Sequence, residues 1–361
     1  MADTRAVQTL TPQIWDDEFS VEFFQTNPFA AYAGTDDNSI IRMKEDLASK
    51  RADGITFEFI TSLVPGAITG RAALKGNEQR LGEYGDKVNW DIRKQAIGIH
   101  EMDTDLAAID LRAASRQALR NWADEDVKLQ AIERFQDMGS LSNIPYATAT
   151  PAERNAWDTT NADRVLYARA ANRSAGNHAA SLSNITSAHI LNRAAVGGVK
   201  RLALAARPRI TPVRVEQKRN RRFYVLFVHP FTMRDIRNDL ETNRASVNIV
   251  EQNQGIFSGG DLEYDGVIIH EVDDMPILAG AGGSGINLAP AFLVGQEALG
   301  WGLKSRYASR EDKDDYGQVM GLGMLGKWGM KKLVYQFGTT DPTIIGRQRG
   351  VVSAFFPAVA D

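Results

Sequence analysis

Phe223-Tyr224-Val225-Leu226-Phe227-Val228, closed by His229-Pro230, is the stretch on which the fold turns. Its six apolar residues leave no polar alternate, so a strand made from them must be covered on both faces. Pro230 offers no N–H to a ladder and ends it. Just downstream, Thr232 to Leu240 reads as a helix. Just upstream lies the basic run Lys218-Arg219-Asn220-Arg221-Arg222. It reads as a solvated hairpin tip feeding the buried strand, or as a contact for nucleic acid or for an acidic patch on a neighbour.

Outward from this strand, elements of both kinds follow without a βαβ repeat. Short strand candidates are Gly266 to Ile269, Phe292 to Val294, Leu333 to Phe337 and Val351 to Phe356. A helical pattern runs from Ile190 to Ala206 and stops at Arg207-Pro208. Residues 140–190 are polar, rich in Ala, Asn, Ser and Thr, and predict short helices and loops. From Thr104 to Met138 there is neither Gly nor Pro. Leu106, Ile109, Ala113, Trp122, Leu129 and Ile132 mark a helical stripe there. Such a helix is either a structural spine or breaks near Ala123. Earlier still, Ile55, Phe57 and Phe59 alternate with Thr56 and Glu58, and Val88, Trp90 and Ile92 alternate with polar neighbours. The Gly- and Pro-punctuated stretch between them predicts an extended two-stranded arm with an irregular tip. A lone ribbon of this kind is marginal in water and needs a surface to lie on. Trp15, Phe19, Phe23, Phe24, Phe29 and Tyr32 crowd the leading segment. They form either an amphipathic helix on the chain's own core or an arm whose aromatics anchor in another subunit. Together these elements predict an α+β fold rather than a doubly wound sheet.

Composition narrows the function classes. The 361 residues are 43% hydrophobic and 24% charged, enough to bury a sizeable core. A net charge of −3 leaves no bulk basic footprint for nucleic acid. The absence of cysteine excludes disulfides, thiolate metal sites and a thiol nucleophile. Met1-Ala2-Asp3-Thr4 opens without an apolar stretch behind it, so no secretory signal is expected. No window nears the roughly 18–20 apolar residues of a membrane span.

Catalytic motifs find little support. Gly280-Ala281-Gly282-Gly283-Ser284-Gly285 matches G-x-G-x-x-G, yet Ile286-Asn287-Leu288-Ala289-Pro290 and a strand follow it. Without a helix N-terminus the phosphate cradle is incomplete, and a flexible loop is the better reading. His100-Glu101-Met102-Asp103 with Asp105, and His270-Glu271-Val272-Asp273-Asp274, pair imidazole with carboxylates. Neither has H-E-x-x-H spacing, and solvated strand ends explain them as well as a divalent ion does. Ser284 is not in G-x-S-x-G, since position 286 is Ile. No catalytic residue, cofactor or metal is expected.

Several segments, in one order over most of the chain, carry a resemblance. They include Asn38-Ser39-Ile40-Ile41, Gly54-Ile55-Thr56-Phe57, Leu74-Lys75-Gly76-Asn77-Glu78, Val88 to His100 and Leu119-Arg120-Asn121-Trp122. Arg207-Pro208-Arg209-Ile210-Thr211-Pro212 precedes the most specific piece, Tyr224 to Pro230. Gly266-Val267-Ile268-Ile269-His270-Glu271, Asp315-Tyr316-Gly317 and Gly326-Lys327-Trp328-Gly329-Met330-Lys331 follow. The chain resembles the major capsid proteins of tailed bacteriophages, in particular the N4-like family, a branch of the HK97-type capsid fold. It departs from the pattern at 140–190 and in the basic run.

The resemblance implies a structural subunit that assembles into hexamers and pentamers of an icosahedral head shell around double-stranded DNA. It implies an N-terminal arm (1–50), an extended loop over an adjacent subunit (51–100) and a spine helix of a peripheral domain (101–140). A mostly axial domain with the variable polar insertion (141–290) and a return to the periphery (291–361) would complete it. Expected inter-subunit contacts are Trp15, Phe19, Phe23, Phe24, Leu74, Trp90 and Trp122. Expected partners are other copies, DNA held without sequence specificity, a portal protein, and decoration and scaffolding proteins. The place is the virion, after assembly in the host bacterial cytoplasm. Removing residues 66–85 should leave a folded subunit that assembles poorly. An encapsulin-like compartment shell with protein cargo is the nearest alternative; an enzyme using the Gly280–Gly285 loop is a remote one.

Overall fold

The computed structural model describes residues 29–45, 53–61, 82–107, 110–138, 144–215, 221–246, 257–258, 261–338 and 342–360, with positions 69, 75 and 78. In chain order, β1 (Ala33–Gly34) and β2 (Ile41–Lys44) precede β3 (Gly54–Thr61), β4 (Gly82–Asn89) and β5 (Asp91–His100). Helices α1 (Glu101–Leu106), α2 (Leu111–Gln136) and α3 (Pro151–Thr160) come next. They are followed by β6 (Val165–Tyr167), α4 (His178–Ser183) and α5 (Arg193–Ala205). The hairpin of β7 (Val213–Val215) and β8 (Arg221–Val228) leads to α6 (Pro230–Ser246). Then come β9 (Phe257–Ser258), β10 (Asp261–Tyr264), β11 (Val267–Glu271) and β12 (Leu288–Val294). The last strands are β13 (Leu299–Asp314), β14 (Val319–Lys332), β15 (Phe337–Gly338) and β16 (Val351–Pro357).

Strand β8 sits where its composition demands, inside an 8-stranded sheet of order β6-β16-β12-β8-β11-β10-β9, with β7 also on β8. It runs parallel to β11 and antiparallel to β12. Its side chains divide between two cores. Tyr224, Leu226 and Val228 join Val196, Val199 and Ala203 of α5. Val225 and Phe227 join Ala131, Ile132 and Phe135 of α2. The continuous apolar run is thus two alternating half-runs, one for each layer.

Helix α2 begins at Leu111, not near Thr104, because Asp110 accepts from the N–H groups of Arg112 and Ala113 and caps it there. Residues 101–106 form the separate α1. The helix does not break at Ala123, which lies fully buried within it. At about 1.5 Å per residue it spans roughly 39 Å. One strand expected across Trp90 is two. The chain leaves the sheet of β3 and β4 at Asn89 and enters the sheet of β5 at Asp91.

Strands β13 and β14 give no clear signal in the sequence, yet their hairpin is the backbone of a 5-stranded sheet of order β1-β2-β13-β14-β5. The expected strand at 333–337 is instead a loop with one bridge, Val334 to Gln348, before β15 pairs with β4. The Gly280–Gly285 loop is pinned rather than flexible. Gly283 donates its N–H to the Ile185 carbonyl at 2.8 Å, and a Cβ there would crowd the Ser183 carbonyl. It passes into β12 with only a short 3-10 turn between, so no helix N-terminus forms.

Candidate assembly surfaces

The two-stranded arm is built as its alternation requires. β3 and β4 pair antiparallel from Gly54–Asn89 to Thr61–Gly82. Ile55, Phe57 and Phe59 turn inward onto Tyr84, Val88, Leu333, Tyr335 and Ile344. Thr56, Glu58 and Ile60 turn out, and Ile60 is 67% exposed. The ribbon gains a third strand from β15, which its marginal stability needs.

Charge fixes its base. Asp86 of β4 is fully buried, and its carboxylate accepts from Lys331 Nζ at 2.5 Å and from the Val334 N–H at 3.0 Å. Desolvation pushes the Asp86 carboxyl up, and Lys331 pulls it back down. Nearby, Glu297 accepts from Arg42 of β2 and from Arg349 ahead of β16. The Arg349 guanidinium lies 3.9 Å over the Phe59 ring, and Lys44 Nζ lies 4.9 Å over Phe57. Three segments remote in sequence therefore meet at the root of the ribbon.

The β13–β14 hairpin makes a second projecting unit. Its even-numbered β14 side chains, Leu322, Met324, Trp328 and Met330, are buried in the core that α2 shares. Arg112 and Arg116 of α2 both reach Glu311 of β13, at 2.6 and 2.8 Å. Asp126 pairs with Arg93 and accepts from the Tyr307 hydroxyl at 2.7 Å. Burial and that neighbouring carboxylate push the Tyr307 phenol up. Beyond the helix the hairpin turns at Asp315–Gly317, where Tyr316 has φ 56° and a fully exposed side chain. Glu101 N–H donates to the Gln318 carbonyl at 2.8 Å, which brings α1 to the same end. Met102 and Leu106 of α1 are 66% and 77% exposed. One end of this sheet thus presents three large apolar side chains to solvent.

Of the contacts expected from sequence, Trp15, Phe19, Phe23, Phe24 and Leu74 lie outside the described residues. Trp90 is half-buried at the corner between β4 and β5, with Lys304 Nζ 4.1 Å over its ring. Trp122 is half-buried and meets Tyr307 edge-to-face at 5.7 Å. The exposed residues Ile60, Met102, Leu106 and Tyr316 are additions that sequence reasoning misses. The Asp314-Asp315-Tyr316-Gly317 turn signal was available for the last of them.

The His-containing clusters have structural duties. His100 Nδ1 accepts from the Met102 N–H and caps α1. The His270 ring packs edge-on against Tyr32 and Phe227, and Glu271 pairs with Arg237. Among the described residues no three His, Cys, Asp or Glu side chains gather as a metal site. No described helix is long and apolar enough to cross a membrane.

No curated protein sequence matches the chain. A family model described as phage capsid protein matches residues 5–347. Among solved structures, the capsid asymmetric unit of cyanophage Pam1 is 28% identical with a TM-score of 0.79, covering 92% of each chain. The capsid of Ralstonia phage GP4 is 21% identical with a TM-score of 0.72, again over 92% of each. The acidic stable capsid of Helicobacter pylori bacteriophage KHP30 is 14% identical with a TM-score of 0.64, over 92% of each. The chain shares with these phage capsids a mixed helix-and-sheet fold of the HK97 type. With a family match across nearly its whole length and this fold beneath it, the chain belongs to the phage capsid protein family, whose members are shell-forming structural subunits.

Proposed function

We propose that the chain is the major head subunit of a tailed phage of the N4-like branch, closing with its own copies as hexamers and pentamers around double-stranded DNA. It acts through surfaces and not through a catalytic site. Residues 51–100 serve as the extended loop over an adjacent subunit, with Trp90 at its corner. Residues 101–140 supply the peripheral spine, 141–290 most of the axial domain, and 291–361 the return to the periphery. The leading arm, with Trp15, Phe19, Phe23 and Phe24, and the ribbon residue Leu74 complete the contacts. Portal, scaffolding and decoration proteins are further partners, and assembly takes place in the host cytoplasm before release as virions.

The observation that carries this reading is the pair of projecting hairpins. The ribbon is held by the buried Asp86–Lys331 pair and the β13–β14 hairpin by the partly exposed contacts of Arg112 and Arg116 with Glu311, and both expose large apolar side chains farther out. Exposed apolar groups rooted in a rigid base are paid for only when a neighbour covers them. Heterologous contacts of this kind close into rings when the rotation allows. The encapsulin-like alternative shares the surfaces and differs in its cargo; the family match favours the phage shell.

Electron microscopy of the purified chain, with light scattering, tests the proposal. Closed icosahedral particles or free hexamers and pentamers are expected. The companion variant is a short linker in place of residues 66–80, with Trp90→Ala beside it. The wider removal of 66–85 is unsuitable, because β4 starts at Gly82 and Tyr84 is buried in the ribbon core. A linker variant that still closes normal shells would refute the role of the extended loop.

A further inference from the structure

The basic run of the sequence ends in a pocket that the shell reading does not use. Beside the β7–β8 hairpin lies an open pocket of about 260 Å³ lined by Lys200, Leu204, Arg209, Thr211, Pro212, Arg222, Tyr224 and Gly266. Its cations come from three separate elements: Lys200 from α5, Arg209 from the loop after it, and Arg222 from β8. Lys200 pairs with Asp265 at 2.9 Å. Arg209 and Arg222 have no ion-pair partner among the described residues, and both side chains are exposed.

The walls are held firmly. Arg164, fully buried, donates to the Arg207 carbonyl at 3.4 Å and to the Pro208 carbonyl at 2.5 Å. The Tyr224 hydroxyl donates to the Ile210 carbonyl at 2.9 Å. The backbone on both sides of Arg209 is thereby fixed. Burial pushes the Tyr224 phenol up, while the charges of Arg209 and Arg222 both draw it back. On the floor, Gly266 has φ +71° and leaves room in which an added Cβ would sit 3.9 Å from Lys200 Nζ.

A further arrangement points to an anion. Arg214 and Arg222 are directly opposed across the β7–β8 ladder, and both are exposed. Like charges in direct cross-strand register are destabilising. An anion lying along this face offsets that repulsion. A single carboxylate satisfies one guanidinium fork. A phosphate chain presents repeated charge with several acceptor oxygens, which suits guanidinium and ammonium donors arriving from different sides.

We propose that Lys200, Arg209 and Arg222, extended by Arg214, form a site for the phosphate groups of a nucleic-acid backbone. The site rests on the reading that the shell encloses nucleic acid, and it turns the β7–β8 face toward that content. It reads charge and no base edge, so binding is independent of sequence and strongly dependent on salt.

The test uses the purified full-length chain and the variant Arg209→Gln/Arg222→Gln, with Arg310→Gln/Lys313→Gln as a charge-matched control. Fluorescence anisotropy with a labelled duplex of about 25 base pairs over a salt series is the main measurement. The pocket variant should bind about tenfold more weakly near 0.1 M salt, with a salt slope lower by about 1 to 2, while the control stays near the parent. Inorganic phosphate at matched ionic strength should raise the melting temperature of the parent and not of the pocket variant. Equal losses in both variants, or no duplex binding by the parent, overturn the site. Tighter binding of poly-glutamate than of the duplex, lost in the pocket variant, assigns the face to an acidic protein segment instead. Electron microscopy of the same preparations keeps the shell reading separate: closed shells with no phosphate effect sink this inference alone. A map with the β7–β8 face on the outer surface also refutes it.

Discussion

Replacing Lys331 by Met should loosen the ribbon from the body of the subunit. Asp86 and Lys331 are 0% and 7% exposed, so neither charge is well served by water. At their 2.5 Å contact, with an effective dielectric of about 20, the attraction is about 7 kcal/mol before desolvation is counted. Removing one partner strands the other, and breaking a buried pair typically costs about 3–5 kcal/mol. With roughly 2.1 cal/mol/K of unfolding entropy per residue, that loss lowers the melting temperature by about 4–7 °C. The sign of the pH effect follows from the same pair. Burial already pushes Asp86 up, and losing Lys331 pushes it further. A carboxyl whose folded pKa is raised binds its proton more tightly in the native state, so stability falls as pH rises above the unfolded value. The variant should therefore lose more at pH 8 than near pH 4, close to the ordinary value of 3.8. Lys331→Met with Asp86→Asn keeps an acceptor for the Val334 N–H without a buried charge, and should recover more than half of the loss. Thermal unfolding and amide exchange of the purified chain are the assays, with faster exchange expected first in β3 and β4. A single-variant cost below about 1 kcal/mol, or a double variant no better than the single, refutes the clamp.

His178 is buried and held near a pKa of about 4, by burial first and by Arg154 second. Its stabilising contribution is present above the unfolded value of 6.5 and is lost as pH falls toward 4. The parent should lose about 2.5 kcal/mol more than His178→Gln between pH 7 and 4.5, read from urea unfolding at each pH. Asp137, raised to about 6 by burial, acts in the opposite direction over part of that range, and referencing to the variant removes it. Gly329→Ala places a methyl group onto the Asn89 carbonyl where β14 crosses the β4–β5 corner, and should cost at least about 2 kcal/mol in the same assay. Tyr316→Ser with Leu106→Ser should leave subunit stability within about 0.5 kcal/mol, since both side chains are exposed. Shell yield, counted by electron microscopy, should fall; an unchanged yield removes the hairpin tip from the assembly surface.

The parts legible in the sequence were those with an unmixed signal. Six apolar residues in a row made β8 plain, and the Ile55-Phe57-Phe59 alternation made β3 plain. The β14 strand had the same period in Leu322, Met324, Trp328 and Met330. Gly321, Gly323, Gly326 and Gly329 masked it, because glycine reads as a loop when its neighbours in space are unknown. Those glycines lie in a ladder where Gly323 faces Ala96 and Gly329 admits the Asn89 backbone. Lys331 and Lys332 are of a residue type that is almost never fully buried unless paired. They are buried because Asp86, 245 positions away, and the Phe135 carbonyl wait for them. Nothing local encodes such a pairing. Trp122 has the composition of an interface residue and packs on Tyr307 of its own chain, a partner remote in sequence that periodicity does not reveal.

The distribution of polar and apolar groups explains how one chain serves as both brick and mortar. A ribbon held only by apolar contact slides, since hydrophobic burial has no direction. Hydrogen-bonded charge pairs do have direction. Asp86 with Lys331 sets where β4 meets β14, and Glu297 with Arg42 and Arg349 sets where β2 and the segment before β16 meet. On the second hairpin, Arg112 and Arg116 hold Glu311 and fix β13 against the first turns of α2. Past these anchors, the apolar side chains change from filling the subunit to facing outward, at Ile60 on the ribbon and at Tyr316 on the hairpin turn. In the proposed assembly their burial is reserved for contacts between copies, while the aim of each projection is set within the copy. A shell needs both properties at once: a fixed angle at every subunit and adhesive surface only where another subunit arrives.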